Sequence, residues 1–308
     1  MNRLSSLKSA FLKPEFIFRP SQIFKRLQWN SRWQGQTGTV ELPWGLPLEV
    51  DARETIGQAI TKIGVYDLIV PEAIFRLCDE GETALDIGAN IGMTVGAMAL
   101  AAGNAGKVIA FEPHPKLNAG LGGTIANWKK NNGITNIELR AKAISDQSGT
   151  AALNIPTDFG HNTGSASLSA SHFEDASQVE NIDVPVTTLD EAFPDPLDKI
   201  GVLKIDIEGH EHPAFVGAER LLSVGCIRDI IFEEYEPLPT PVTRLLQKHG
   251  YTIFLLRKDL LRPTLVPIPC GRPPMLPNYL ATLDPDRAIK RFKKRGFLSL
   301  KTHPSQTS

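Results

Sequence analysis

Cysteine is scarce in this chain. Cys78, Cys226 and Cys270 are odd in number, far apart and free of C-x-x-C spacing. That argues against a disulfide framework or a zinc cluster and makes a reducing cytoplasm the expected compartment. No stretch approaches the roughly 18 consecutive apolar residues of a membrane-spanning helix. The opening MNRLSSLKSAFLKPEF is interrupted by Lys8 and Lys13 and has no apolar core followed by a small-residue cleavage site, so no secretory signal is expected. Acid is nearly missing from both ends. Residues 1–33 carry seven Lys/Arg against Glu15 alone, and residues 284–301 carry seven against Asp284 and Asp286. The body between them holds 19 of the 33 basic and 31 of the 34 acidic residues. Basic ends can meet anionic lipid or an acidic polymer, or stay solvated.

What is present is an alternation of strands and helices. A length of 308 residues, 42% of them hydrophobic, can hold one large domain with elaborations or two small ones. Residues 38–52 alternate around Pro43, Gly45 and Pro47, which predicts an edge hairpin. Residues 66–78 are broadly helical. From residue 83 the pattern predicts a strand in TALDIG, a helix over 92–102, a strand over 107–112, a helix over 115–132 stopped by Gly133, and a strand over 136–145. Residues 146–181 are polar and predict an irregular insert. A fourth strand over 201–207, a helix over 213–222 and strands at 227–235, 251–256 and 278–283 follow. Such alternation predicts an α/β domain with a doubly wound, mostly parallel sheet and helices on both faces.

In such sheets the ligand lies beyond the carboxyl ends of the strands, near the switch in strand order. The first strand ends LDIGANIG. Gly88 and Gly92 allow a sharp turn and close approach of a ligand, and the following helix points unpaired N–H groups at that spot. Asp86 precedes the first glycine by two residues, and Asn90 sits between the glycines with an amide that can donate and accept. The dinucleotide fingerprint G-x-G-x-x-G is not met, and Asp86 suits a ligand carrying ammonium and sulfonium charge better than a pyrophosphate. Glu112, ending the second strand, can accept both ribose hydroxyls. Together these favour S-adenosylmethionine over NAD.

The segments GVYD, ETALDIGANIGMT, VIAFEPHP, AIS, VTTLDE and LKIDIEGHEHPAFVGAERLL, in this order, resemble the FkbM family of S-adenosylmethionine-dependent methyltransferases. The resemblance runs from about Gly64 to about Tyr251 and leaves residues 1–50 and 260–308 outside. It implies a Rossmann-like class I methyltransferase that methylates hydroxyl groups, often of sugars or polyketide natural products. Carried over by position, Asp86, Gly88, Asn90 and Gly92 would hold the methionine part of the cofactor and Glu112 the ribose. Lys142 and Ala143 would edge the adenine through backbone groups, and Tyr66 would close over the cofactor. The domain boundaries drawn are a basic N-terminal extension over 1–36, a methyltransferase domain with a hairpin and helix cap over 37–283, and a basic C-terminal tail over 284–308.

LKIDIEGHEH gathers charge at the end of a core strand, where charge is costly to bury without partners. Asp206 and Glu208 are two apart in an extended segment and share one side, with Lys204 behind them. Methyl transfer is an in-line displacement that depends on positioning, and a hydroxyl acceptor must shed a proton to a base within reach. Asp206 is read as positioning cofactor or acceptor, with His210 or Glu208 as the base. Glu211 and His212 read as helix-start charges. Asp206, Glu208 and His210 as ligands of a divalent metal rank below metal-free catalysis. The insert offers His161, Asn162 and Ser165 to a hydroxyl-rich acceptor where a substrate lid would sit, and Glu233 or Glu234, one of which must face each way, is a further acceptor contact, with Glu234 taken as the candidate. Two rivals to the methyltransferase are an NAD-type oxidoreductase and a non-catalytic module using the same fold. A small-molecule or glycan hydroxyl acceptor is the expected partner, without nucleic acid. Ile289, Phe292 and Phe297 among the C-terminal basics suggest a surface that rests on the inner face of a membrane.

Overall fold

The computed structural model describes residues 12–33, 35–156, 165–169, 179–194, 199–268 and 277–303. Three short helices, α1 (Pro14–Ile17), α2 (Ser21–Leu27) and α3 (Trp29–Trp33), open the described chain. They are anchored: Phe16 and Gln22 are buried, and Trp29 Nε1 donates to Thr61 Oγ1 at 2.8 Å. The hairpin β1 (Thr37–Glu41) and β2 (Pro47–Asp51) forms a sheet of its own. Helices α4 (Thr55–Ile63) and α5 (Ile69–Leu77) then lead into β3 (Thr83–Ile87), α6 (Met93–Ala102), β4 (Lys107–Phe111), α7 (Pro115–Asn132) and β5 (Ile137–Arg140). Small residues let α6 bury nearly all its faces between α5 and the sheet, and Gly133 closes α7 in the left-handed conformation.

Beyond β5 come β6 (Ala143–Ile144), β7 (Gly149–Pro156), β8 (Val179–Thr187), α8 (Leu189–Ala192), β9 (Ile200–Ile205), α9 (Glu211–Val216) and α10 (Glu219–Ser223). The chain ends in β10 (Ile227–Glu233), α11 (Pro241–Lys248), β11 (Thr252–Lys258), β12 (Pro263–Pro267), β13 (Asn278–Thr282) and α12 (Pro285–Phe292). The main sheet has eight strands in the order β12-β11-β13-β10-β9-β3-β4-β5. From β10 to β5 all neighbours run parallel, and β13, β11 and β12 pair antiparallel at one side. Core residues such as Val202 and Ile231 point to one face, and Leu203 and Ile230 to the other. This is the doubly wound α/β arrangement predicted from the alternation, and the Rossmann-like sheet that the family resemblance implies. Strand order reverses between β3 and β9, and that is where the site must lie.

Four local expectations need correction. The insert is not irregular throughout, because β7 and β8 pair antiparallel over eight residues. Leu153, Ile155, Val184 and Val186 turn to one side and join Leu117 and Ala143 in a small cluster of their own. The strand expected over 136–145 breaks into β5 and β6, which pair in different sheets. The helix expected over 213–222 is divided at Gly217, where a Cβ would stand 2.1 Å from the Ser145 carbonyl oxygen. The C-terminal basic segment is no free tail. Phe292 and Phe297 are only 3% and 1% exposed, so two of the three apolar residues assigned to a membrane surface face the core instead.

That segment is held by a buried ion pair. Arg76 Nε donates to Glu72 Oε1 at 2.6 Å, and the rest of the guanidinium donates to the carbonyls of Arg291, Lys294 and Gly296. Glu72 Oε2 accepts from the backbone N–H and hydroxyl of Ser299, both at 2.8 Å. Removing one partner strands the other charge in the interior. Arg76→Ala is therefore expected to cost about 3–5 kcal/mol, read as a lower denaturant midpoint at unchanged slope. A loss below about 1 kcal/mol would contradict this anchoring.

Candidate active site

The site is built on one buried lysine. Lys204, next to last in β9, points across to the tip of β3, where its Nζ donates to the Gly88 carbonyl at 2.7 Å. The same ammonium lies 3.3 Å from Asp86 Oδ1 and 3.8 Å from Asp206 Oδ2. Burial alone would lower its pKa, but Asp86 and Asp206 outweigh it and push the pKa up, so the lysine stays charged. Asp86 is fully buried, and its Oδ2 accepts a short bond from the Thr94 hydroxyl in the first turn of α6. Burial raises its pKa against the pull of Lys204 and Thr94.

The loop between β3 and α6 is bent by three left-handed residues, Gly88 (φ 80°), Asn90 (φ 49°) and Gly92 (φ 94°). A Cβ on Gly88 would lie 2.0 Å from the Asp206 carbonyl oxygen, and one on Gly92 2.3 Å from Leu121 Cδ1. The glycines thus let the loop lie against the end of β9 on one side and α7 on the other. Glu112, just past β4, accepts from the Asn90 N–H at 2.8 Å and from the His114 N–H at 2.9 Å. Both carboxylate oxygens are thereby oriented, with lone pairs left over. Burial, opposed by these two donors, brings its pKa up to about 7.

Two cavities open on this loop and share Gly88, Asn90, Asp206 and Glu208. The first, of about 580 Å³ with its open approach included, has apolar walls from Phe111, Leu117, Ile144, Leu153 and Leu168, and Glu112, Lys142 and Ala143 also line it. The β7–β8 hairpin roofs it: Asn154 and Ser167 exchange backbone hydrogen bonds, and the Ser167 hydroxyl donates to the Glu208 carbonyl at 2.7 Å. The second, of about 1110 Å³, contains Tyr66, Asp67, Asp206, Glu208, Glu233 and Tyr235, with Lys204 as the cation among its lining residues. Crowding of carboxyl groups with burial lifts their pKa values. Glu208 is raised to about 8, first by burial and then by Asp206 and Glu233, while Glu233 reaches about 7 and Asp67 about 6. Burial and the same carboxylates push the Tyr66 phenol well up.

β9 stops at Ile205, so Asp206 and Glu208 are not in an extended segment. Glu208 (φ 55°) and Gly209 (φ 84°) are both left-handed and fold the chain into a tight turn, yet both acids still line the second cavity. Glu211, buried, accepts the Ile207 N–H at 3.0 Å and braces this turn. His210 stands apart from the second cavity. Its Nε2 is 2.8 Å from the Ser145 hydroxyl and its Nδ1 3.0 Å from that of Ser169, so both ring nitrogens are engaged. Burial lowers its pKa despite Asp146 nearby. Those contacts make His210 a clasp between the turn, the end of β6 and the 165–169 segment, and it also lines the first cavity together with Asp206 and Glu208.

Glu234 also needs correction. Strand alternation sends it away from the cavity, where its carboxylate accepts the Glu236 N–H at 3.0 Å, while Glu233 faces in and accepts from the Tyr235 hydroxyl at 2.5 Å. His161 and Asn162 lie outside the described residues. Among the described residues, no three His, Cys, Asp or Glu side chains converge so as to hold a metal ion. Thr94, Asp67, Tyr235 and Asn278 escaped the sequence reading. Asp67 stood in view beside Tyr66, in a turn at φ 36°, where it accepts from Asn278 Nδ2 at 2.6 Å.

The family model of the methyltransferase FkbM domain matches residues 86–253, more than half of the chain, and the chain belongs to this family. Among solved structures it is similar to methyltransferase FkbM from Methylobacillus flagellatus, at 15% identity and TM-score 0.42, over 75% of this chain and 56% of that one. It is also similar to an S-adenosylmethionine-dependent O-methyltransferase from Thermotoga maritima, at 15% identity and TM-score 0.39, over 71% and 65% respectively. A third is the fibrillarin of Aeropyrum pernix with natively bound S-adenosylmethionine, at 14% identity and TM-score 0.36, over 82% and 95%. The matches thus span less than two thirds of the first two chains. No curated protein matches.

Proposed function

We propose that the chain is an S-adenosylmethionine-dependent methyltransferase that methylates a hydroxyl group of a sugar, glycan or natural-product acceptor. The observation that carries this reading is the carboxyl-rich lining of the second cavity, where Asp67, Asp206, Glu208 and Glu233 stand with Lys204 as the one cationic side chain among the lining residues. A surplus of carboxyl groups around a tight glycine loop suits a cationic sulfonium and repels the pyrophosphate of a dinucleotide. The donor set fits the cofactor along its length. Gly88 and Asn90 would hold the methionine end, with Asp86 and Gly92 buried beneath them as supports of the loop, Glu112 the ribose, and Lys142 and Ala143 the adenine edge beside the apolar walls of the first cavity. Once bound, S-adenosylmethionine supplies an electrophilic methyl group.

The rest falls to side chains of the second cavity. Asp206, tied to Lys204, is a fixed charge that positions the reacting groups. Glu208 takes the proton of the acceptor hydroxyl, a role for which burial, with Asp206 and Glu233 beside it, raises its pKa to about 8. Glu233, with Tyr235, and Tyr66 provide hydrogen-bonding and stacking surface for the acceptor.

Calorimetry should give saturable heat with S-adenosylmethionine and none with NAD, and Glu112→Ala should weaken that binding by about 1.5–3 kcal/mol, the range for a hydrogen bond to a charged group. Unchanged affinity in the variant would remove the ribose assignment. As a base, Glu208 works deprotonated, so kcat/KM should climb with pH through an apparent pKa near 8 that belongs to the coupled carboxyls. Glu208→Gln should abolish that ionisation and slow turnover by about 10²–10⁴-fold while cofactor affinity is kept. A variant with normal turnover and the same pH profile would clear Glu208 of the role.

A further inference from the structure

The register of the sheet puts a second feature at the same end as the cleft. β10 runs parallel to β9 and ends at Glu233, β13 runs back from Asn278, and β11 runs up again from Thr252 to Lys258. The turn from β11 to β12, Asp259 to Arg262, therefore leaves the sheet on the rim where the carboxyl-lined cavity opens. Lys258 stands near enough to Asp67 in that cavity to act on its charge. At the tip of the turn Leu260 and Leu261 are 41% and 51% exposed. An adjacent leucine pair held out in water on a hairpin tip has no role in the core.

Two other segments are stitched to this turn. Gly296 N–H donates to the Leu261 carbonyl at 2.9 Å and Arg262 to the Lys293 carbonyl at 3.1 Å, which brings Lys293, Lys294 and Arg295 alongside. All three are exposed and, among the described residues, outside every ion pair. Lys258 Nζ pairs with Glu15 Oε1 at 2.7 Å, and Phe18 packs edge-on against Phe297 at 5.5 Å, which adds α1. There Ile17 is 39% exposed, and Phe18, although it packs on Phe297, still leaves 38% of its surface exposed. Four apolar side chains and three unpaired cations thus converge on one rim, although residues 12–33, the 259–262 turn and 293–296 are far apart in sequence.

We propose that this rim is a docking surface for the headgroup layer of an anionic phospholipid bilayer, and that the chain meets its acceptor at that surface. Lysines and arginines are drawn to the negative surface potential, and the aliphatic tip enters the boundary between headgroups and acyl chains. A nucleic acid would use the cations but leaves the leucines in water, so the apolar tip favours lipid. No helix among the described residues is long and apolar enough to cross a membrane, so this contact lies on the surface. It differs from the surface first suggested by Phe292 and Phe297, which are buried.

The test is flotation of the full chain with vesicles of phosphatidylcholine, alone or with about one third phosphatidylglycerol, at low and high salt. Binding is expected with the anionic vesicles at low salt and not with phosphatidylcholine alone. The double variant Leu260→Asp, Leu261→Asp should cut the bound fraction at least about fivefold, with circular dichroism and S-adenosylmethionine binding unchanged. Lys293→Glu with Lys294→Glu, which leaves the tip alone, should do the same. No flotation of the parent chain overturns the proposal, as does flotation that both variants retain. Binding of double-stranded RNA that displaces the vesicles and ignores the leucine change overturns it too. Because cofactor binding is read separately, failure here leaves the methyltransferase reading standing.

Discussion

Lys204 is the interaction on which the rest of the site depends. It is the cation within reach of Asp86 and Asp206, and it also holds the carbonyl of Gly88. An isolated ion taken out of water costs several kcal/mol, so neither Asp86 nor Lys204 could be buried at the strand tips without the other. Their pairing lets β3 and β9 end side by side with charge between them. Gly88 then lies against the Asp206 backbone, closer than any side chain would permit. The carboxyl groups gathered beyond that point exceed what one lysine can balance. On that imbalance rests the proposal that the crevice takes a sulfonium cation.

The turn after β9 converts this electrostatic arrangement into a shaped site. Two successive left-handed residues, the first of them not glycine, store backbone strain that the surroundings must hold in place. The holding groups are visible. Glu211 takes the Ile207 N–H, Ser167 reaches the Glu208 carbonyl, and His210 is clasped between Ser145 and Ser169. The histidine read as a possible base also braces this turn, and Glu208 beside it is one of the carboxyl groups whose proton affinity burial raises. The same contacts tie the β7–β8 roof of the apolar cavity to the acidic one, so both halves of the cleft share one support.

Much of this could be read from the chain. TALDI, KVIAF and GVLKI are short buried strands with no competing pattern, and the glycines of DIGANIG have few uses other than a bend at a strand tip. Gly88, Asn90 and Glu112 line the first cavity at the strand tips, and Asp86 and Gly92 lie buried in and under the same loop. What escaped depended on tertiary contact. The period-two pattern in GTAALNIP is weak because its outer face is small and polar, so β7 passed for loop. Glu233 and Glu234 are adjacent, and only the register with β13 decides which one faces the cavity. His210 offers an imidazole to any reader, and nothing local reveals the two serines that occupy it, one of them 65 residues away. The C-terminal basics hid a buried anchor, since Arg76 and Glu72 meet residues more than 200 positions distant.

The central claim is that the crevice between the tips of β3 and β9 grips a sulfonium cofactor, with Glu112 beside it on β4. A crystal structure of the full chain with S-adenosylhomocysteine tests this most directly. The account predicts the ribose hydroxyls on the Glu112 carboxylate and the homocysteine end against the Gly88 loop, with Lys204 still bonded to the Gly88 carbonyl. A ligand bound elsewhere, or one lying in this crevice with Glu112 turned away from it, would contradict the account.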